Sequence, residues 1–288
     1  MSQKFDLHTH TRHSDGALTP KELVLRAHTM QVDVLALTDH DTISGVVEAR
    51  AFQATQKRPL TIVSGIELST RWHGYDIHIV GLNVNEQDET FLNRLEIQHQ
   101  SRQTRANKIA TKLAACGMPD VGEKVLVAST SEQVTRSHFA NAMVQLGYVK
   151  DSAQAFKQFL GKGKRAHVSP QWISIEEAVQ WIHDAGGKAV LAHPTHYDMT
   201  TKWLRRLAAE FVEHGGDAIE INYPNLEPQK QAILLEIVNE HELLVSVGSD
   251  FHFPSRWTEL GRRSRLPDDV TPIWHDWSCF DKPQDQRS

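Results

Sequence analysis

The sequence contains few cysteines and no long apolar run. Two of its 288 residues are cysteine, Cys116 and Cys279, and they lie far apart in the chain. This argues against the disulfide framework that many small secreted domains need. No run approaches the roughly 20 apolar residues of a membrane span, and the start of the sequence lacks an apolar signal core. These absences predict a cytoplasmic protein.

The sequence also lacks a motif that would present a nucleophilic serine, because neither "GIELS" nor "VGSD" resembles a nucleophile elbow. The net charge of −5 argues weakly against a nucleic-acid partner. Residues 101–165, however, carry eleven Lys or Arg against four Asp or Glu, a local balance of +7, so the rest of the chain carries −12. This middle segment either faces an anionic partner or presents an ordinary solvated helical face.

Seven short apolar runs predict the strands of an α/β fold. Several are nearly continuous, as is typical of parallel strands that are buried on both faces. Helix-like stretches separate them, including one after Thr19 and one that begins at Ser174 with Glu177 three residues on. Seven strands alternating with helices favour a barrel over an open sheet. The predicted strands are residues 4–8, 33–38, 60–68, 76–83, 188–193, 217–222 and 243–250.

Residues 100–168 interrupt this alternation, since they are mostly helical in pattern and end in the flexible "GKGKR". We interpret them as a helical insert that caps one end of the barrel. The barrel itself is then formed by residues 1–99 and 169–280. The polar tail, residues 281–288, is predicted to be disordered.

Histidines and carboxylates recur at the ends of the predicted strands, beginning with "DLHTHTRHSDG" at residues 6–16. The C-terminal ends of parallel barrel strands converge on one face, where active sites are built. A single histidine is usually an ordinary surface or core residue, but so many at strand ends are hard to ascribe to coincidence. Nitrogen and oxygen ligands suit Mn, Zn or Fe better than Ca or Mg alone, and their number implies two or three ions. The candidate ligands are His8, His10, Asp15, His40, Glu67, His78, His193, Asp250 and His252.

The motifs "DLHTHTRHSDG", "ALTDHDT", "GIELS", "DIHIVGLN", "LAHP" and "GSDFH", in this order, resemble those of the PHP (polymerase and histidinol phosphatase) family. The resemblance covers nearly the whole chain and is strongest to the branch of nucleoside 3′,5′-bisphosphate phosphatases and 5′→3′ exoribonucleases. It implies a distorted (β/α)7 barrel with a helical insertion. It also implies three ligand sets: His8, His10, Glu67 and Asp250; Glu67, His78 and His193; and Asp15, His40 and His252.

The same resemblance implies a metal-dependent phosphoesterase. The implied activities are 5′→3′ exoribonuclease action on 5′-phosphorylated RNA ends, including rRNA 5′-end maturation, and conversion of nucleoside 3′,5′-bisphosphates such as pAp to 5′-monophosphates. Two ions about 3.5–4 Å apart can lower the pKa of a water between them. We therefore expect a metal-bound hydroxide as the nucleophile, with Asp250 and His193 beside it. Mn²⁺ is the first candidate metal, with Zn, Fe or Mg as alternatives, and neither a membrane nor a protein partner is predicted.

Two further residues are candidate phosphate ligands. Arg136 lies in "VTRSHFA" of the insert, and its planar fork suits two oxygens of a terminal phosphate. His196 lies in "HPTHY", where the relatives that this sequence resembles more often have an arginine, so an imidazole stands here in place of a permanently charged guanidinium. His13, inside the opening motif, matches no ligand position and is interpreted as a rim residue.

Two other classes of protein remain open at this point. A small-molecule phosphatase of the histidinol-phosphatase type would share the metal ligands but would not need a basic insert. A non-catalytic PHP module is the other alternative, although such modules often lose ligands and this chain keeps all nine.

Overall fold

The computed structural model describes residues 3–128, 133–255, 258–262 and 265–277, so the predicted disordered tail lies outside the described residues. Seven strands form one sheet in chain order. They are β1 Phe5–Asp6, β2 Val34–Leu37, β3 Thr61–Trp72, β4 Tyr75–Leu82, β5 Lys188–Leu191, β6 Ala218–Asn222 and β7 Leu244–Val247. The Leu7 amide donates to the Val247 carbonyl at 3.1 Å, which brings the first and last strands together. The prediction of a seven-stranded α/β barrel is confirmed.

The prediction that the strands are parallel is wrong at β4, which is antiparallel to both β3 and β5. The reason is the two-residue turn His73-Gly74, in which both residues have positive φ (43° and 86°). Such a turn joins antiparallel neighbours, whereas a parallel return would need a crossover of about a dozen residues or more. The strand ends also differ from the prediction, since β3 continues five residues past Glu67 to Trp72.

Five helices flank the sheet, and together with the strands they supply the main hydrophobic clusters. They are α1 Pro20–Thr29, α2 Ser44–Gln53, α7 Ile175–Asp184, α8 Thr201–Glu213 and α9 Pro228–His241. The predicted N-caps are present at Thr19 and Ser174, each with a reciprocal bond to the glutamate three residues on. Inside the barrel, each of the seven strands contributes at least one buried side chain to a further apolar cluster.

The segment between β4 and α7 is helical, with α3 Glu89–Ala115, α4 Pro119–Ala128, α5 Arg136–Gln145, α6 Ser152–Ala155 and a π-helical turn at Phe156–Leu160. Its buried apolar residues between 106 and 166 form a cluster of their own. Phe91 and Leu95, at the start of α3, belong instead to the main barrel core. We propose that residues 100–168 form an insert. Its first helix, α3, begins in the barrel core and continues into the insert.

None of the helices in the described ranges is both long and apolar enough to cross a membrane.

Candidate metal centre

The structure brings all nine predicted ligands together in one network of close contacts. His8 and His10 follow β1, His40 follows β2, and His193 follows β5. Asp250 and His252 follow β7, while Asp15 comes from the loop after His10. Glu67 and His78 lie within β3 and β4, and the reversed direction of β4 places His78 beside Glu67. Residues from the loops that follow parallel strands thus meet, at one site, residues from within the antiparallel pair β3 and β4.

Glu67 lies at the centre of the network and is fully buried. Its Oε1 is 3.4 Å from His8 Nε2, 2.8 Å from His78 Nδ1 and 3.0 Å from His193 Nε2. Its Oε2 is 3.3 Å from His10 Nε2 and 2.9 Å from His40 Nδ1. A buried carboxylate is costly unless it is paired, and the five surrounding histidines provide such partners.

Two aspartates extend the network beyond Glu67. Asp250 Oδ1 is 3.2 Å from His10 Nε2 and 3.5 Å from His252 Nδ1. Asp15 Oδ1 is 3.2 Å from His252 Nε2 and 3.8 Å from His40 Nε2. Three carboxylates therefore alternate with six histidines.

Many of these atoms are buried and, although they lie close to one another, none of those named next has the geometry of a hydrogen bond to a described residue. They include His8 Nε2, His10 Nε2, Asp15 Oδ1, His40 Nδ1, Glu67 Oε2, His78 Nδ1 and His193 Nδ1. Each unsatisfied buried polar atom costs about 1–3 kcal/mol, and a cation bound between them would offset that cost. Such donors fit a first-row transition metal.

Three groups of these residues have ligand atoms within 4.8 Å of one another. They are His10, Asp15, His40 and His252; His8, His10 and Glu67; and His40, Glu67 and His78. These groups overlap the ligand sets that the family resemblance implies but differ from each of them. Asp250 is absent from the group of His8, His10 and Glu67, His40 takes the place of His193 in another, and His10 joins the third. The assignment of each side chain to a particular ion therefore stays a prediction.

Neighbouring carboxylates and histidines in the cluster stabilise each other's charged forms. Burial raises the pKa of Glu67, but His78, His40 and His8 outweigh it and hold that pKa well below its ordinary value. Burial likewise raises the pKa of Asp15, and His252 and His40 bring it well below the usual range. Burial lowers the pKa of His252, whereas Asp15 and Asp250 raise it to about 10. The carboxylates are thus ionised near neutral pH, the form that binds a cation.

Glu220 supports the cluster from β6 and was not among the residues predicted from the sequence. Its Oε1 is 2.8 Å from His8 Nδ1, and its Oε2 accepts a hydrogen bond from the His193 amide at 2.7 Å. A carboxylate at Nδ1 leaves Nε2 of His8 turned towards Glu67, as is usual for metal-binding histidines. A glutamate between the two buried isoleucines of "DAIEIN" was the available signal.

Glu220→Gln is expected to lower metal affinity by about ten- to a hundredfold, because the neutral amide orients His8 less firmly. Titration of the metal-free protein with Mn²⁺ would measure this. Glu236→Gln is the matched control, since Glu236 is exposed on α9 and pairs with Arg205. Equal affinities of the Glu220 variant and the control would contradict the orienting role.

The neighbours of His40 have roles outside the contact network. Asp39 accepts hydrogen bonds from the Thr11 amide at 2.7 Å and the Ser14 hydroxyl at 2.6 Å, which fixes the loop after His10. Asp41 accepts from Arg102 at 2.5 Å, which ties the loop after β2 to α3. His13 points elsewhere, with its Nε2 3.5 Å from Glu48.

A cavity of about 260 Å³ opens over the cluster and is lined on another side by the helical insert. Arg136, the first residue of α5, lines this cleft, and its Nη2 is 3.4 Å from Asp76 Oδ2. His196 also lines it, with its ring stacked on that of His193 at 5.3 Å. Arg136 and His196, the two candidate phosphate ligands predicted from the sequence, therefore both border the cluster. The lining residues that were not predicted from the sequence include Arg102, Arg105, Phe156 and Trp172.

An α/β barrel with a buried histidine–carboxylate cluster beneath an arginine-lined cleft is typical of a metal-dependent hydrolase. The sequence model of the PHP domain family matches residues 6–222. The chain therefore belongs to the PHP family. The resemblance inferred from the motifs is thereby confirmed.

Relatives with similar sequences cover almost the whole chain. The chain is 43% identical to the 5′-3′ exoribonuclease Rnm of Salmonella typhimurium over 273 residues, which is 95% of this chain and 93% of that protein. It is 37% identical to the 3′,5′-nucleoside bisphosphate phosphatase of Chromobacterium violaceum, over 94% of this chain and 95% of that one. A solved structure of an amidohydrolase from Chromobacterium violaceum, with bound sulfate and no metal, aligns with a TM-score of 0.87 at 37% identity, over 93% and 94% of the two chains.

Proposed function

We propose that this protein is a metal-dependent phosphoesterase that removes the phosphate from the 3′ oxygen of nucleotides whose 5′ end carries a phosphate. The observation that carries the proposal is the shared cleft, in which the histidine–carboxylate cluster and several arginines line one cavity. Such a cleft can hold one phosphate at the cluster and a second at the arginines. The names of two relatives support the proposal, since one is a 5′-3′ exoribonuclease, which acts on RNA, and the other is a 3′,5′-nucleoside bisphosphate phosphatase.

The metal ligands in this proposal are the nine side chains of the network, and Mn²⁺ is the first candidate ion, with Zn, Fe or Mg as alternatives. Bound metal would supply an activated water and neutralise the charge that develops on the phosphate. Asp250 and His193 border both the network and the cleft, and this position supports a role for both in orienting the attacking water. His193 holds a rare backbone conformation (φ 28°), and the bond from its amide to Glu220 supports it.

One geometry serves two forms of substrate. If the 3′ phosphate is terminal, breaking its bond to the 3′ oxygen converts a nucleoside 3′,5′-bisphosphate to the 5′-monophosphate and inorganic phosphate. If the chain continues, breaking the same bond releases one 5′-mononucleotide and leaves a new 5′-phosphate on the shortened RNA. The enzyme would therefore regenerate its own substrate end at each step.

RNA with a 5′-hydroxyl is expected to be degraded roughly ten- to a hundredfold more slowly than the same RNA with a 5′-monophosphate, because charge-assisted contacts to the phosphate are lost. The measurement is the rate of mononucleotide release with Mn²⁺ supplied, alongside turnover of pAp and histidinol phosphate. Equal rates on both RNA ends, or fragments cut from within the chain, would contradict the proposal. Faster turnover of histidinol phosphate would favour a small-molecule phosphatase.

A further inference from the structure

The start of α5, in the helical insert, contacts the loop that carries Asp15. The Thr135 hydroxyl donates a hydrogen bond to Asp15 Oδ2 at 3.0 Å, across 120 residues of sequence. The Asp15 side chain is 5% exposed, so water competes little for this bond. A direct hydrogen bond therefore joins the insert to a predicted metal ligand of the barrel.

The geometry around Thr135 directs its single hydroxyl proton to Asp15. A second acceptor, His138 Nδ1, lies 3.2 Å from the hydroxyl oxygen. That nitrogen already accepts a hydrogen bond from the Thr135 amide at 3.0 Å, and an ionised carboxylate is the stronger acceptor. The hydroxyl oxygen in turn accepts a hydrogen bond from the Ser137 amide at 3.2 Å.

The bond to Thr135 gives the two oxygens of Asp15 different roles. Oδ2 is held by the insert, whereas Oδ1 is 3.2 Å from His252 Nε2 and 3.8 Å from His40 Nε2. Asp15 is also one of the four residues, with His10, His40 and His252, whose ligand atoms lie within 4.8 Å of one another. The insert thus fixes the rotation of a carboxylate whose other oxygen faces a candidate metal position.

Further hydrogen bonds hold the same part of the insert against the loops of the cluster. The Gln133 amide donates to the His13 carbonyl at 3.1 Å, and the Gln133 side chain donates to the Asp41 carbonyl at 3.3 Å. The His138 ring is hydrogen-bonded to the Ser14 backbone. Because Nδ1 of His138 is an acceptor, its proton is on Nε2, which can donate to the Ser14 carbonyl. Several bonds therefore dock the insert beside Asp15.

We propose that Thr135 is a positioning residue of the metal centre, because its hydroxyl orients Asp15 so that the docked insert completes the site of one metal ion. This inference rests on the metal ligands of the proposed function. Hydrogen-bond partners of metal ligands commonly set the affinity for the metal, and Glu220 has this relation to His8 from within the barrel. Thr135 has it from the insert, so metal binding and docking of the insert should favour each other.

The test compares Thr135→Val with the wild type in a titration of the metal-free protein with Mn²⁺. Valine has nearly the shape of threonine but cannot donate a hydrogen bond. We expect one ion per chain to bind about ten- to a hundredfold more weakly, while the other ions bind as in the wild type. Thr135→Ser keeps the hydroxyl and should keep the affinity of the wild type.

Two control variants separate the bond to Asp15 from other effects of the substitution. Thr135 also caps α5, and Thr200→Val removes the corresponding cap of α8, where the Thr200 hydroxyl accepts from the Trp203 amide at 3.4 Å. Thr111→Val removes a hydroxyl from within the insert, which donates to the Asn107 carbonyl of its own helix. Both controls are expected to bind Mn²⁺ with the affinity of the wild type.

Hydrogen exchange of the backbone amides gives a second readout that does not depend on turnover. Mn²⁺ should slow exchange in α5 of the wild type and slow it less in Thr135→Val, because the ion stabilises the docked insert through Asp15. Unchanged Mn²⁺ affinity in Thr135→Val, or an equal loss in Thr200→Val, would overturn the role of Thr135. Wild-type protein that binds no metal would instead contradict the metal centre of the proposed function.

Discussion

Glu67→Gln is expected to reduce kcat/KM by at least about 10²–10³, the range for removing one electrostatic stabiliser from an active site, and to reduce the number of metal ions bound. Glutamine keeps the size of the side chain but removes the charge that faces five histidines. Glu67 belongs to two of the three groups of closely spaced ligand atoms, so its loss affects more than one ion. Kinetics on pAp and metal analysis of the purified variant would measure both effects.

Glu213→Gln is the control for this experiment, because Glu213 is exposed at the end of α8 and its substitution removes the same charge elsewhere. Circular dichroism would establish that both variants are folded. A Glu67 variant with the metal content and turnover of the control would show that the central carboxylate is not a ligand.

The members of the cluster could be named from the sequence because each signal was local. A histidine or carboxylate directly after an apolar strand, as at His40 and His193, is visible in a few residues of sequence. Convergence followed from the general rule that the loops after barrel strands meet at one face. Glu67 and His78 joined the set even though both lie within strands, and the antiparallel pairing of β3 with β4 accounts for their position.

The cleft was less predictable because its parts come from distant segments. Arg102 and Arg105 look like exposed charges on a long helix until the packing of α3 places them over the cluster. Their partners lie far away in sequence, with Asp41 61 residues before Arg102 and Val168 63 residues after Arg105. Contacts between residues so far apart in the sequence depend on the complete fold. They leave no periodic pattern in the sequence. Apart from Arg136 and His196, which the sequence motifs indicated, the excess of positive charge in residues 101–165 was the sign of such a surface.

Asp250→Asn is expected to abolish most turnover, again by at least about 10²–10³, while leaving the melting temperature of the metal-free protein close to that of the metal-free wild type. Asp250 lies after β7 with φ 48°, a left-handed conformation that asparagine also tolerates, and its side chain is 22% exposed. The backbone should therefore be undisturbed. The amide loses the charge that now lies between His10 and His252.

Asp198→Asn provides the comparison, since Asp198 is exposed in the loop after His196 and its substitution makes the same chemical change outside the cluster. Thermal unfolding with and without Mn²⁺ distinguishes loss of a ligand from loss of the fold. The Asp250→Asn variant should unfold like the wild type without metal but gain less stability when metal is added, because stabilisation by a ligand depends on its affinity for the folded state. Full activity in this variant, with the same stabilisation by metal as the wild type, would remove Asp250 from the proposed centre.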